Sequence, residues 1–122
     1  MRVAVIGSRT VTVSNLGDYL PLGTDEIVSG GAAGVDRCAR AYALEQNLKL
    51  TEFLPDYSTY GRAAPLQRNL QIIAYSDLVL AFWDGQSPGT RFVIQHCQKS
   101  GTPVQIFRRG TVFRSSYQNS TR

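Results

Sequence analysis

The sequence predicts an α/β fold with a mostly parallel five-stranded sheet and helices on both faces of that sheet. Short apolar runs alternate with helical patterns, and turn residues separate most of them. Because neighbouring parallel strands need right-handed crossovers, this alternation favours a Rossmann-like architecture. Open sheets of this kind bind ligands beyond the carboxyl ends of the strands, where the strand order reverses. We place that crevice between the first and fourth predicted strands.

Five short apolar or alternating runs predict the strands of the sheet. The predicted strands cover Val3–Ile6, Glu26–Val28, Leu48–Leu54, Asp77–Phe82 and Val104–Phe107. In addition, Thr111–Arg114 is predicted to form a short edge strand.

Apolar residues at helical spacing predict the helices that connect these strands. The clearest helix covers Gly34–Gln46, where Val35, Ala39, Tyr42 and Ala43 recur on one face. The other predicted helices cover Asn15–Leu20, Pro65–Tyr75 and the segment from the end of the Asp84–Pro88 loop to Lys99. Between the third strand and the helix that starts at Pro65, the segment Pro55–Ala64 is predicted to be a loop long enough to be functional.

The composition indicates one soluble, cytoplasmic domain. The chain has 122 residues, of which 43% are hydrophobic and 18% charged, and no apolar run approaches the roughly 20 residues of a membrane span. Of its 13 basic residues, four follow Phe107, where no acidic residue occurs, so residues 1–107 hold 9 basic and 9 acidic residues. We therefore expect a neutral folded domain over 1–107 and a basic, flexible tail over 108–122. A neutral domain argues against nucleic acid as a partner.

The cysteines and the single histidine do not predict a metal or redox site. Cys38 and Cys97 lie in helical patterns without a second thiol nearby, so we interpret both as reduced, buried residues. His96 is interpreted as a solvated or interface residue of the last helix. The sequence predicts no metal and no cofactor.

Three loops at the carboxyl ends of predicted strands have the composition of phosphate-binding loops. They are Gly7–Arg9, Ser29–Asp36 and Asp84–Thr90. Small residues let a phosphate approach the backbone, and the helix behind each loop offers free N–H groups and the positive end of its dipole. One such glycine loop often serves only the backbone angles of a turn. Three of them at one sheet edge indicate phosphate or nucleotide binding.

The well-known phosphate motifs do not fit this sequence literally. The chain has no Gly-x-x-x-x-Gly-Lys-Ser/Thr, which argues against a P-loop hydrolase. The second loop matches only the last two glycines of Gly-x-Gly-x-x-Gly, with Ser29 in the first place. Glu52 lies about twenty residues further on, as the ribose-binding acid does in dinucleotide-binding folds. We interpret it as a solvated strand residue.

Arg9 and Arg68 are the residues predicted to recognise phosphate, since an arginine fork binds two phosphate oxygens. For Arg68 the alternative is a salt bridge across its helix face. Asn69 is predicted either to hydrogen-bond a base edge or to hold the Asp84 loop. Three aromatic residues can stack on a base or simply pack: Tyr57, Tyr60 and Trp83.

Four segments, in this order, resemble the SLOG superfamily. They are Gly7–Arg9, Val28–Asp36, Arg68–Asn69 and Ser87–Thr90. That group unites the Rossmann-like core of DNA-processing protein A with the Lonely-guy phosphoribohydrolases and with small stand-alone nucleotide-sensing domains. The resemblance covers residues 1–107, and the stretch Asp56–Asn69 is most similar to the stand-alone branch of unknown function. It implies a nucleotide-like ligand in the crevice and pairing of copies through helices beside the site.

The resemblance stops at the catalytic residue. Lonely-guy enzymes carry Pro-Gly-Gly-x-Gly-Thr-x-x-Glu, whose glutamate acts in cleaving an N-glycosidic bond, and Val93 occupies that position here. Asp84 or Asp36 can substitute for it, or each is simply a loop or first-turn acid. We therefore predict binding of a nucleotide or nucleotide-derived signal, such as an ADP-ribose-like molecule, without efficient turnover. A nucleoside-monophosphate N-glycosidase and a single-stranded-DNA-binding accessory protein are the alternatives.

The predicted ligand-binding residues belong to the three loops or to the helix that starts at Pro65. They are Gly7, Ser8, Arg9, Ser29, Gly30, Gly31, Gly34, Asp36, Arg68, Asn69, Asp84, Ser87, Gly89 and Thr90. No catalytic residue is assigned. We expect Gly31→Val to block binding without unfolding the protein, because it adds bulk where the phosphate approaches.

Overall fold

The strands and helices alternate along the chain as the sequence predicts. The computed structural model describes residues 1–108 and the backbone of Val112–Phe113. In chain order the strands are β1 (Arg2–Gly7), β2 (Thr12–Val13), β3 (Glu26–Ser29), β4 (Lys49–Glu52), β5 (Leu78–Trp83), β6 (Val104–Arg108) and β7 (Val112–Phe113). The α-helices are α1 (Val35–Glu45), α2 (Tyr57–Tyr60), α3 (Ala64–Tyr75) and α4 (Pro88–Ser100), and 3₁₀ turns cover Leu16–Tyr19 and Gly61–Ala63.

Five of the strands form one sheet in the order β4-β3-β1-β5-β6, with every pair parallel. The predicted fold class is confirmed. The chain builds outward from β1 to β3 and β4, then crosses to β5 and β6 on the other side, so the strand order reverses between β1 and β5. Val3 marks the centre, since it is paired with Ile27 on one side and with Leu78 on the other. The crevice predicted between the first and fourth strands therefore lies between neighbouring strands.

Side chains of β1 alternate between two hydrophobic clusters, one on each face of the sheet. Val3 and Val5 pack with α1, whereas Ala4 and Ile6 pack with α3 and α4. A fully buried valine or isoleucine contributes about 1.5–3 kcal/mol through removal of its apolar surface from water. Burial on both faces explains why this strand is apolar at consecutive positions.

The segment predicted to be a loop, Pro55–Ala64, is largely helical, so that prediction is wrong. It holds α2, the 3₁₀ turn at Gly61–Ala63 and the first residue of α3. Asp56 caps α2, because its Oδ1 accepts from the Thr59 N–H at 3.1 Å and from the Ser58 hydroxyl at 2.8 Å. A cap of this kind stabilises a single helical turn that has no apolar periodicity to reveal it.

The edge strand predicted over Thr111–Arg114 appears as β7, but β7 does not join the main sheet. It pairs with β2 in a separate two-stranded parallel sheet, and β2 itself has no predicted counterpart. The remainder of the predicted tail, residues 109–111 and 114–122, lies outside the described residues.

The amino ends of the strands, opposite the crevice, hold a buried carboxylate with several partners. Thr51 Oγ1 and the Tyr75 hydroxyl each donate to Glu26 Oε2 at 2.6 Å, and Lys49 Nζ lies 3.7 Å from Oε1. Burial alone would raise the pKa of Glu26, but the two hydroxyls and the Lys49 ammonium outweigh it, so its pKa lies below the ordinary value of 4.5. This cluster ties β3 to β4 and to the end of α3.

Cys38 and Cys97 are free thiols, the first half-buried and the second buried. Burial raises the pKa of the Cys97 thiol, which keeps it protonated. Within the described part of the chain, no group of His, Cys, Asp and Glu side chains is placed to hold a metal ion. Of the described helices, none is both long and apolar enough to cross a membrane.

Candidate functional site

A cavity of about 310 Å³ opens at the carboxyl end of β1, between the loops that follow β3 and β5 and helices α1, α3 and α4. It brings together most of the residues predicted to bind a ligand. Those that line it are Gly7, Ser8, Arg9, Gly30, Asp36, Arg68, Asn69, Ser87, Gly89 and Thr90. The volume lies at the lower end of the range of about 300–1,000 Å³ that is usual for small-molecule sites.

Four predicted site residues lie outside the lining of the cavity. Ser29 and Asp84 support the loops by hydrogen bonds, since Ser29 Oγ accepts from the Gly31 N–H at 3.4 Å and Asp84 binds the loop before α4. Gly34 has φ +70°, and a Cβ there would lie 2.5 Å from the Arg9 carbonyl oxygen. These residues shape the site without facing it.

Gly31 is the fourth of them, and its geometry changes the meaning of the Gly31→Val substitution. Its φ is +73°, and a Cβ there would lie 2.6 Å from Leu54 Cδ2. A side chain at this position would meet Leu54 and strain the backbone, so it would not occupy the cavity. The expectation that Gly31→Val blocks the phosphate directly is therefore wrong.

The N-terminus of α4 reaches the cavity without a side-chain cap. Ser87 stands at the N-cap position, but its hydroxyl donates to Asp84 Oδ2 at 3.0 Å and does not cap the helix. Pro88 has no N–H. The N–H groups of Gly89 and Thr90, in the first turn, consequently have no intrahelical acceptor, and both residues line the cavity. They present donors and the positive end of a helix dipole to a ligand.

Asp84 fixes the loop before α4 through hydrogen bonds to its backbone. Its Oδ1 accepts from the N–H groups of Gln86 and Ser87, both at 2.8 Å. The hydrogen bonds from the Ser87 and Gln86 N–H groups lower the pKa of Asp84 to about 2. A carboxyl with this pKa stays ionised near neutral pH, so it has no proton to give as a general acid.

Arg68 joins two loops beside the cavity. Its Nη1 donates to the Gly30 carbonyl at 2.6 Å and to the Phe53 carbonyl at 3.3 Å, and its Nε donates to Asn69 Oδ1 at 2.9 Å. These acceptors lie on the loops after β3 and β4 and on the neighbouring residue, so the salt bridge across its own helix face is not what the structure shows. Within the described residues no hydrogen bond uses Nη2, which leaves two N–H donors of the guanidinium for a ligand.

Asp36 is the carboxylate that lines the cavity. It is 8% exposed, and its Oδ2 accepts from the Ala32 N–H at 3.1 Å. Burial raises the pKa of Asp36, while the Ala32 N–H and the Arg68 guanidinium act against that rise. Gly30 makes room for both charges, because a Cβ there would lie 2.5 Å from Arg68 Nη1 and 3.1 Å from Asp36 Oδ2.

Glu52 at the end of β4 is neither a solvated residue nor part of the cavity lining, so its interpretation as solvated is wrong. The side chain is 20% exposed, with Oε1 3.8 Å from Arg40 Nη1. Its Oε2 is buried and has no hydrogen-bond partner among the described residues. This oxygen would lie 3.8 Å from a Cβ of Gly31, on the side of the loop that faces Leu54.

The aromatic side chains predicted to stack on a base lie outside the cavity lining. The Trp83 ring contacts two guanidinium groups, whose Cζ atoms lie 5.5 Å (Arg91) and 5.3 Å (Arg108) from the ring centroid, and its Nε1 donates to the Ser87 carbonyl at 3.1 Å. Tyr57 and Tyr60 on α2 are exposed. The indole therefore supports the start of α4.

Six further residues line the cavity that were not predicted from the sequence, including the apolar residues of its floor. The additional lining residues are Ile6, Thr10, Ala32, Pro65, Ile72 and Val93. Ile6, Ile72 and Val93 also belong to the hydrophobic cluster between the sheet and helices α3 and α4. Their apolar character predicts core packing and nothing more, whereas Thr10 and Ala32 directly follow or lie within predicted loops.

A comparison with known proteins finds a phage relative. The chain is 35% identical over 120 residues to the "Gene 61 protein" of Mycobacterium phage D29, and the match covers 87% of this chain and 95% of that protein. The chain belongs to this phage protein family. No family model matches the chain, and no solved structure matches it. The name of this relative states no activity.

Proposed function

We propose that the protein binds a nucleotide or a nucleotide-derived molecule, with its phosphate group at the N-terminus of α4. This proposal rests on two neighbouring features, namely the first turn of α4, which has no side-chain cap, and the Arg68 Nη2 group, which makes no hydrogen bond within the described residues. The Gly89 and Thr90 N–H groups and Arg68 Nη2 supply donors from separate elements, and the cavity between them has room for more than a phosphate. Backbone donors bind an anion without the entropy cost of ordering long side chains.

The position of the cavity in the fold supports the same class of ligand. It lies at the carboxyl end of β1, beside the loop that follows β5, and the strand order reverses between these two strands. Parallel α/β sheets bind ligands at such a point. The apolar floor of Ile6, Ile72 and Val93 suits the uncharged part of such a ligand. We also propose that the phage family is a branch of the SLOG superfamily, because three of the four segments that resemble that group lie on the loops around the cavity and the fourth, Arg68–Asn69, lies on α3 beside it.

We propose further that the site binds without efficient turnover. Val93, at the position of the Lonely-guy glutamate, lines the cavity as a buried apolar side chain that neither donates a proton nor carries charge. Asp84, one of the two acids that could substitute, lies outside the lining and is held ionised by its N–H donors. General acid–base help is worth about 10²–10⁴ in rate, so its loss leaves N-glycosidic cleavage close to background.

Mass spectrometry of small molecules released from the purified, heat-denatured protein tests the ligand class directly. We expect a nucleotide or a ribosyl phosphate. Titration calorimetry with inorganic phosphate, AMP and ADP-ribose then measures binding by the emptied protein. Failure of all three probes to bind, together with release of no phosphorylated molecule, would refute the proposed function.

Chromatography of AMP incubated with the protein tests turnover separately. We expect no free adenine above the rate without protein. Release of base at about one turnover per minute, lost in Asp84→Asn, would make Asp84 the displaced acid and the protein an N-glycosidase.

A further inference from the structure

The site combines an anion-binding surface with a negatively charged group that faces the same space. Asp36 lines the cavity that Gly89, Thr90 and Arg68 also line. Its side chain is more than nine-tenths buried, and one of its oxygens is committed to the Ala32 N–H. A carboxylate in this position opposes the entry of a bare phosphate, because two like charges in a partly desolvated cavity repel each other strongly.

Holding the loop does not by itself require a charge at Asp36. The Ala32 N–H needs an acceptor, and an asparagine carbonyl oxygen serves that purpose equally well. The charge on Asp36 therefore acts on the neighbouring Arg68 guanidinium and on whatever enters the cavity. An anionic ligand offsets the repulsion when it brings its own hydrogen-bond donor to the carboxylate, and a charge-assisted O–H···O⁻ bond is among the stronger hydrogen bonds in proteins.

From this geometry we infer that Asp36 selects ligands that join a phosphate to a sugar with free hydroxyl groups, and rejects phosphate alone. The inference rests on the proposed phosphate site at α4 and names the chemical class that the same cavity accepts. A vicinal diol of a ribose is such a donor group. Arg68 and the α4 N–H groups bind the phosphate, while Asp36 accepts from the sugar hydroxyls.

The test compares three probes on the wild-type protein and on Asp36→Asn by titration calorimetry. The probes are ribose 5-phosphate, its 2,3-dideoxy counterpart and inorganic phosphate. Asp25→Asn is the matched control, because it makes the same change of charge at an exposed residue near the amino ends of the strands. The melting temperature of each variant confirms that it is folded.

We expect the wild-type protein to bind ribose 5-phosphate at least tenfold more tightly than the dideoxy compound. In Asp36→Asn that ratio should fall to about twofold, and inorganic phosphate should bind severalfold more tightly than to the wild-type protein. Asp25→Asn should leave every affinity unchanged. A general loosening of the loop would weaken the binding of every probe. It would not tighten the binding of inorganic phosphate while it reduces the preference for the sugar with free hydroxyl groups.

Three results would overturn the inference. Equal affinity of the wild-type protein for the two sugar phosphates removes the hydroxyl preference, and persistence of the preference in Asp36→Asn assigns it to another group. Either result leaves the proposed phosphate site standing, provided that the probes bind. Absence of binding for all three probes overturns the inference, and the proposed function is refuted with it only if AMP and ADP-ribose also fail to bind and no phosphorylated molecule is released.

Discussion

Replacing Gly89 with alanine is expected to lower the affinity for a ligand and to raise the stability of the fold. Gly89 is the second residue of α4 and lines the cavity, and a Cβ there would meet no heavy atom of the described residues within 4 Å. The Cα–Cβ bonds of an α-helix tilt toward its N-terminus, so the new methyl group points to the end of α4 that borders the cavity. The substitution therefore adds bulk at this end of the helix without a clash inside the protein.

Two opposite effects follow from this geometry. Alanine has fewer backbone conformations to lose on folding than glycine, which adds about 0.4–1 kcal/mol to the free energy of unfolding and raises the melting temperature by about 2–5 °C. A phosphate oxygen bound to the Gly89 or Thr90 N–H lies about 2.9 Å from the nitrogen, so a methyl group on the same turn crowds it. We expect affinity for ribose 5-phosphate to fall at least tenfold, which is about 1.4 kcal/mol.

Calorimetric titration and thermal unfolding of the same preparation measure the two effects. Ala41→Gly on the exposed face of α1 is the control, since it should lower the melting temperature and leave the affinity unchanged. If Gly89→Ala melts at a higher temperature and still binds as tightly as the wild-type protein, the ligand does not approach α4. If it melts at a lower temperature, the space beside Gly89 is not open.

Other substitutions test the remaining contacts. Arg68→Ala should weaken binding of a nucleotide by about 1.5–3 kcal/mol, as measured by titration calorimetry with AMP. It should also lower the melting temperature, because the Gly30 and Phe53 carbonyls lose their donor; an affinity for AMP equal to that of the wild type would exclude Arg68 from the site. Tyr75→Phe should lower the free energy of unfolding in urea at pH 7 by about 1.5–3 kcal/mol, since Glu26 loses a buried hydrogen bond. Because the pKa of Glu26 is lowered in the folded protein, its contribution is present above about pH 4.5 and is lost as the pH falls through the folded pKa. The difference in stability between the wild type and Glu26→Gln should therefore shrink between pH 6 and pH 3, and a difference independent of pH would contradict this assignment.

The fold could be predicted from the sequence because burial on both faces leaves a strong local pattern. β1 is apolar at consecutive positions, and the α1 face repeats at helical spacing, so element type and order follow directly. The loops of the site could also be located, because glycine and serine directly after a buried strand indicate a turn. The strand β2 and its pairing with β7 were missed, because a strand of two residues shows no periodicity.

The direction of individual side chains in the site could not be predicted. Gly31 and Gly89 look equivalent in the sequence, yet a Cβ on the first would meet Leu54 and a Cβ on the second would meet nothing. Backbone dihedral angles decide this difference, and they depend on tertiary contacts. The same holds for Ser87, whose hydroxyl binds Asp84 and leaves α4 uncapped, although its sequence position favours a cap.

Because β1 lies at the centre of the sheet, the cavity can form only after most of the chain has been synthesised. Ile6, which is part of the cavity floor, pairs with Ala81, so the floor closes only when a strand more than half the chain away has docked. Contacts of such long sequence separation form late and slowly in folding. A nascent chain that ends before α4 has the first glycine loops but no site, and a ligand that binds the finished cavity stabilises only the fully folded protein.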